Sequence, residues 1–326
     1  MHAVVLAGGY ATRLWPITRN RPKMLLPIGD TTVIGTIFNA LEREARIEDV
    51  YVSTNEAFAE TFETYLNESE YEKPQLSVED TTEESEKFGV VGALAQLIDR
   101  ENLTEDTLVI AGDNVISFDI SEFLDSFEAN TNPTLAAYDV GSYDRATEYG
   151  LVELNDNDEV IDFQEKPDDP KSTLVSIACY GFPSDTLPKL DEYLAADNNP
   201  DEPGWFIEWL QNRETVHAYT FEEAWFDIGT PESYLDAIAW HLNGDSYVHP
   251  SADVSDADLG ENVQVLKNAT ITDDATITDS VVFPEATIRG GELRRSLVDT
   301  DTHIGSLELS GAVIGAHTRL NSDSGR

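Results

Sequence analysis

A six-residue period constrains the last quarter of this 326-residue chain more than any other feature. Ala257, Val263, Ala269, Ala275 and Val281 recur every six positions, and Leu259, Val265, Ile271, Ile277 and Phe283 repeat two positions later. The units ATITDD and ATITDS follow one another directly at 269–280. Small and branched apolar residues at that period are the pattern of a parallel β-helix built from hexapeptide rungs. The phase slips near Pro284–Gly291 and resumes loosely through AVIGAHTRL.

The preceding region has a different texture. AVVLA (3–7) is a short apolar run ending in glycines, as expected of a buried parallel strand. Ile34, Ile37, Phe38 and Leu41 follow at helical spacing, then the strand-like VYVST at 50–54. Phe58, Phe62, Tyr65 and Leu66 mark a second helix before QLSV (75–78). Val91, Leu94, Ala95 and Ile98 mark a third before TLVIAG (107–112). Such alternation predicts βα units on a mostly parallel, Rossmann-like sheet flanked by helices. LVELNDNDEVIDF (151–163) reads as a hairpin around Asn155–Asp158, and Thr230-Pro231-Glu232 as a helix start. The chain therefore divides into an α/β domain at 1–245 and a short repeat domain at 246–326.

Charge narrows the function. The chain carries 63 acidic residues against 20 Lys plus Arg, a formal net charge of −43, with an ordinary 40% hydrophobic content. Such an excess self-repels in dilute buffer and suits a salt-rich cytoplasm, where the screening length falls to about 3 Å at 1 M. A halophilic source is expected. The acidic surface argues against nucleic acid as a partner, because phosphate backbones need basic patches. The lone Cys179 allows neither an internal disulfide nor a cysteine-based zinc site. The apolar run in MHAVVLAGG is too short for a signal peptide, and no later stretch approaches a membrane span, so a cytoplasmic protein is expected.

Against that background Arg13, Arg19, Arg21 and Lys23 crowd into eleven residues directly after Gly8-Gly9. Glycines at the carboxyl end of a central strand let backbone amides approach an anion. The spacing fits neither the dinucleotide fingerprint nor the P-loop. An arginine fork and a lysine point charge beside such a loop still call for a polyanion.

LAGGYATRLWPITRNRPKMLLPIGD closely resembles the signature loop of sugar-1-phosphate nucleotidyltransferases. The resemblance implies that Leu6, Ala7, Gly8, Gly9, Thr12 and Arg13 hold the nucleotide and that Lys23 contacts its α-phosphate region. Ala11 stands where many members have glycine. LVIAGDN resembles the family's Gly-Asp-Asn and implies a metal and nucleotide role for Asp113 and a sugar-phosphate-binding role for Asn114. Gly150 in EYGLVEL, with Glu165 and Lys166 in FQEKP, would contact the sugar and its phosphate. AWFDIGTPESYLDA would supply Asp227 as the second metal carboxylate. EKFGVVGALAQL, with Gly92, resembles the base-reading loop, although Val90-Val91 replace the Thr-Ala of many members. The repeat tail resembles the left-handed β-helix of hexapeptide-repeat proteins.

The family's chemistry suits these residues. An already ionised sugar-1-phosphate oxygen attacks the α-phosphorus in line and pyrophosphate leaves, so no general base is required. Charge neutralisation and alignment are what must be supplied. Arg13 and Lys23 are the expected catalytic pair, and Mg²⁺ is the hard cation suited to Asp113, Asp227 and phosphate oxygens. The resemblance points to glucose-1-phosphate with dTTP or UTP. Mannose-1-phosphate with GTP, or a non-catalytic regulatory subunit of the same fold, stays open. His249, His303 and His317 leave a tail acyltransferase to be weighed. The short repeat lacks a clear insertion for a cofactor, so oligomerisation or allosteric docking is expected of the tail instead. Arg19 and Arg21 receive no role.

Overall fold

A computed structural model describes residues 1–9, 11–79 and 89–321. It divides into two compact units: Met1–Gly8 with Ile37–Trp225, and Gly9–Thr36 with Phe226–Arg326.

The first unit is built on a nine-stranded sheet. Its centre is parallel: His2–Leu6 lies between Thr107–Ala111 and Asp49–Asn55, and Pro74–Glu79 extends that side. Leu174–Phe182 pairs antiparallel with Thr107–Ala111, Thr134–Asp139 and Gly150–Leu154. The expected hairpin joins Gly150–Leu154 to Val160–Glu165, and His217–Phe221 runs parallel to Thr134–Asp139. Seven of the nine strands therefore point the same way, against Val160–Glu165 and Leu174–Phe182. The sheet is mostly parallel in direction, as the alternating pattern predicts.

Apolar helix faces close over this sheet. Val91, Leu94, Leu97 and Ile98 of the helix Gly89–Glu101 pack into the same buried cluster as Val4, Val109, Tyr180 and Phe206. Asn55 caps the helix Glu56–Glu68 by accepting from the Phe58 amide, satisfying a donor that the first turn would otherwise leave open.

In the second unit, Thr230 opens the helix Pro231–Leu242. Its hydroxyl accepts from the Ser233 amide at 3.1 Å, while the Ser233 hydroxyl accepts from the Thr230 amide at 3.1 Å, a reciprocal capping box. Beyond it, short strands stack into two parallel sheets. Tyr247 pairs with Gln264, Gln264 with Val281, Val281 with Leu297, and Leu297 with Val313. Partners in successive layers thus stand 16 or 17 residues apart along this sheet. From Val263 to Phe283 both hexad series are fully buried. Such stacking is consistent with the β-helix predicted from the period. Across the slipped stretch, Thr287–Arg294 forms one long strand paired with His303–Ser310. Gly290 and Gly291, both at positive φ, absorb the irregularity; a Cβ at Gly291 would stand 2.2 Å from the Leu307 carbonyl oxygen.

Candidate functional site

Each unit gathers part of the predicted set. In the first, the strand His2–Leu6 delivers Leu6, Ala7 and Gly8 beyond its carboxyl end. The Ala7 amide donates to the Ser53 carbonyl at 2.7 Å, the Thr54 hydroxyl donates to the Ala7 carbonyl at 3.3 Å, and Asn55 Nδ2 donates to the Gly8 carbonyl at 3.0 Å. With these groups held by the neighbouring strand Asp49–Asn55, the backbone is fixed before it enters the glycine loop. A Cβ at Gly8 would stand 3.7 Å from Oε1 of the buried Glu79.

Asp113 follows the central strand Thr107–Ala111, and the Gly112 amide donates to the Leu6 carbonyl at 2.8 Å. Asn114 is buried with both ends of its amide engaged. Nδ2 donates to the Ile177 carbonyl at 2.8 Å, and Oδ1 accepts from Trp225 Nε1 at 3.1 Å. These bonds fix the turn that carries Asp113. Gly92 is buried in the helix Gly89–Glu101. Residues 86–88 of the expected base-reading loop, and Tyr10 of the signature loop, lie outside the described residues.

Gly150, Glu165 and Lys166 come together at the open end of the hairpin, where Gly150 pairs with Glu165. Lys166 takes a left-handed conformation, φ 46°, its amide donating to the Tyr149 carbonyl at 3.1 Å. Its ammonium forms an ion pair with Glu202. A Cβ at Gly150 would lie 2.4 Å from the Phe163 ring, and one at Gly204 would lie 1.6 Å from Glu165 Oε2. Two glycines thus make room for one carboxylate. Burial pushes the Glu165 carboxyl up to about 7; nearby Lys166 opposes this, while Glu202 and Glu208 add to it. Gly204 and Glu202 are missed by sequence reasoning; the only local signal is a glycine in the first turn of the helix Pro203–Gln211, where helix propensity disfavours it.

The second unit holds the remainder. Ala11 is left-handed, φ 48° and ψ 49°, and leads into the one-turn helix Thr12–Leu14. Its carbonyl accepts from the Thr18 hydroxyl at 2.8 Å. The departure from glycine therefore falls on a backbone conformation that favours glycine. A Cβ at Gly9 would lie 3.9 Å from Cε of Lys23, which opens the one-turn helix Lys23–Leu25. A Cβ at Gly229 would lie 3.1 Å from Arg13 Nη2 and 3.8 Å from Asp227 Oδ2. Arg13 and Asp227 thus both approach Gly229, beside the capped start of the helix Pro231–Leu242.

No cluster of three or more His, Cys, Asp or Glu able to hold a metal occurs among the described residues. Mg²⁺ bound through substrate phosphates uses one or two carboxylates and water rather than an all-protein cage. Asp113 and Asp227 are of the right type for such a role.

A mostly parallel α/β sheet whose first strand runs into a glycine loop is a frame that takes ligands at the carboxyl ends of its strands. Residues 2–243 match the nucleotidyl transferase family, and the chain belongs to it. It is 30% identical over 236 residues to a provisionally named mannose-1-phosphate guanyltransferase of Sulfolobus acidocaldarius, a match covering 72% of this chain and 61% of that protein. It is also 30% identical over 265 residues to a glucose-1-phosphate adenylyltransferase of Mycoplasma mobile, covering 75% and 69% respectively. The chain thus spans roughly three fifths of the first relative and over two thirds of the second. In fold it is similar to a provisionally named glucose-1-phosphate thymidylyltransferase of Bacillus anthracis, crystallised with a sucrose. That similarity has a TM-score of 0.64 at 24% identity and covers 74% of this chain and 95% of the other.

Proposed function

We propose that this protein is an enzyme that transfers a nucleotidyl group from a nucleoside triphosphate to a sugar-1-phosphate, releasing pyrophosphate. The observation that carries the reading is that Arg13 and Asp227 both approach Gly229 and Lys23 approaches Gly9, in a chain that belongs to the nucleotidyl transferase family.

Arg13 neutralises the departing pyrophosphate, and Lys23 draws charge from the α-phosphate region as the new bond forms. The Gly8–Gly9 backbone gives the triphosphate close approach, with Leu6, Ala7 and Thr12 fixing that backbone and Gly92 leaving room beside the base. Gly150 and Glu165 orient the sugar, Lys166 meets its phosphate, and Asn114, which also holds the Asp113 turn, completes that sugar-phosphate set. Asp113 and Asp227 would hold Mg²⁺, which when bound supplies charge neutralisation and a template for phosphate oxygens.

Glucose-1-phosphate with dTTP or UTP is the pairing that the signature loop favours. The guanyltransferase relative supports mannose-1-phosphate with GTP as a second reading. Pyrophosphate release across a grid of nucleotides and sugar phosphates, in high salt, tests both. One strongly preferred pair supports transferase activity, whereas no release from any pair favours a regulatory subunit.

The match over 2–243 supports a catalytic domain at 1–245 followed by a repeat domain at 246–326, which we read as a left-handed β-helix that joins copies of the chain. Among the described residues no helix is long and apolar enough to cross a membrane, and a salt-rich cytoplasm suits the net charge of −43.

A further inference from the structure

Arg21, to which the signature loop gives no role, has a specific partner. Its Nη2 donates to Asp299 Oδ1 at 2.5 Å and to the Thr300 hydroxyl at 3.3 Å, while the guanidinium carbon lies 4.8 Å from the Phe283 ring centroid. The Asp299 side chain is only 3% exposed. A carboxylate so deeply buried needs a cation, and a guanidinium between a carboxylate and an aromatic face is held in one orientation.

Other bonds reinforce this anchor. Gln264, fully buried between rungs, reads the backbone six residues further along. Its Nε2 donates to the Pro27 carbonyl at 3.0 Å, and its Oε1 accepts from the Gly29 amide at 2.7 Å. The Tyr234 hydroxyl donates to the same Pro27 carbonyl. A Cβ at Gly315 would meet the Pro16 ring at 3.0 Å, so the chain between Arg13 and Arg21 also rests on the repeat. Lys23, on its one-turn helix, lies between the Arg21 and Pro27 anchors.

We infer that Asp299, through Arg21, and Gln264 are positioning residues for the anion-binding segment: the repeat region fixes where Arg13 and Lys23 present their charges. The inference rests on the proposed function, since it assigns that segment to the triphosphate. Arg21 itself is fixed by protein groups and acts through the placement of Lys23.

The test uses the full chain and two readouts: binding of inorganic tripolyphosphate by calorimetry, and the KM of each substrate. Asp299→Asn and Arg21→Gln should each weaken tripolyphosphate and raise the nucleotide KM by about tenfold, the loss of one charge-assisted contact. The sugar-phosphate KM should stay within about twofold, and Arg21→Lys, which keeps the charge, should recover to within about threefold of the parent. If either variant fails to fold, Thr300→Val removes one Arg21 bond and should weaken tripolyphosphate about threefold. Unchanged tripolyphosphate binding in folded variants, or equal loss for both substrates, overturns the inference. A parent chain that binds tripolyphosphate but makes no nucleotide-sugar overturns the proposed activity alone, and one that makes nucleotide-sugar without binding tripolyphosphate overturns the inference alone.

Discussion

Arg13 and Asp227 share one small space: a methyl group on Gly229 would lie 3.1 Å from the guanidinium and 3.8 Å from the carboxylate. Gly229→Ala should therefore fold, because the tip of Arg13 can yield, but the guanidinium must shift. Displacement of a charge aimed at reacting phosphates lowers turnover steeply, and a loss of about tenfold is expected. Steady-state pyrophosphate release beside a thermal melt checks this; unchanged turnover would separate Arg13 from the chemistry.

Ala11 carries local backbone strain, with φ 48°. A left-handed conformation costs an L-residue about 1–2 kcal/mol, partly offset by the lower unfolded-state entropy of alanine relative to glycine. Ala11→Gly is expected to stabilise the fold by about 0.5 kcal/mol, read by denaturant unfolding. Destabilisation would show that the alanine methyl packs favourably.

Glu165 gives a pH signature. Burial raises its carboxyl from 4.5 to about 7, so the fold favours the protonated form. Its contribution to stability is fully present below about 4.5 and lost as pH rises through about 7. Glu165→Gln mimics the protonated state and should lack that slope. Melting temperatures of parent and variant should diverge as pH rises from 4.5 to 7, the parent falling relative to the variant. Parallel profiles would contradict the burial account.

Removal of Mg²⁺ should stop turnover, and Asp113→Asn or Asp227→Asn should each raise the Mg²⁺ concentration for half-maximal rate by about tenfold. Titration of rate against Mg²⁺ measures this. An unchanged Mg²⁺ dependence in both variants would remove these carboxylates from the metal.

Much of the frame was legible because it depends on local pattern. The apolar run ending at Gly8 is a central strand, and Thr230-Pro231 starts a helix as its capping chemistry dictates. The hexad phase shows which side chains face inward, since Val263, Ala269, Ala275 and Val281 are all fully buried. Other relationships lie at distances that local pattern does not encode. Arg21 and Asp299 are 278 positions apart, and nothing around either residue names the other. The Glu165 environment depends on Gly204, which tertiary packing alone brings against it. Asn114 shows a related limit: one Nδ2 hydrogen goes to the Ile177 carbonyl and one Oδ1 lone pair to Trp225, partners far along the chain that its local sequence does not name.

The central claim is that cations gathered in an acidic chain allow two anions to react, and Lys23→Ala tests it most directly. Pyrophosphate release by this variant should fall about 10²- to 10³-fold with the melting profile of the parent retained, as expected when a charge acting on the transition state is removed. Near-parental release from a folded Lys23→Ala protein would contradict it.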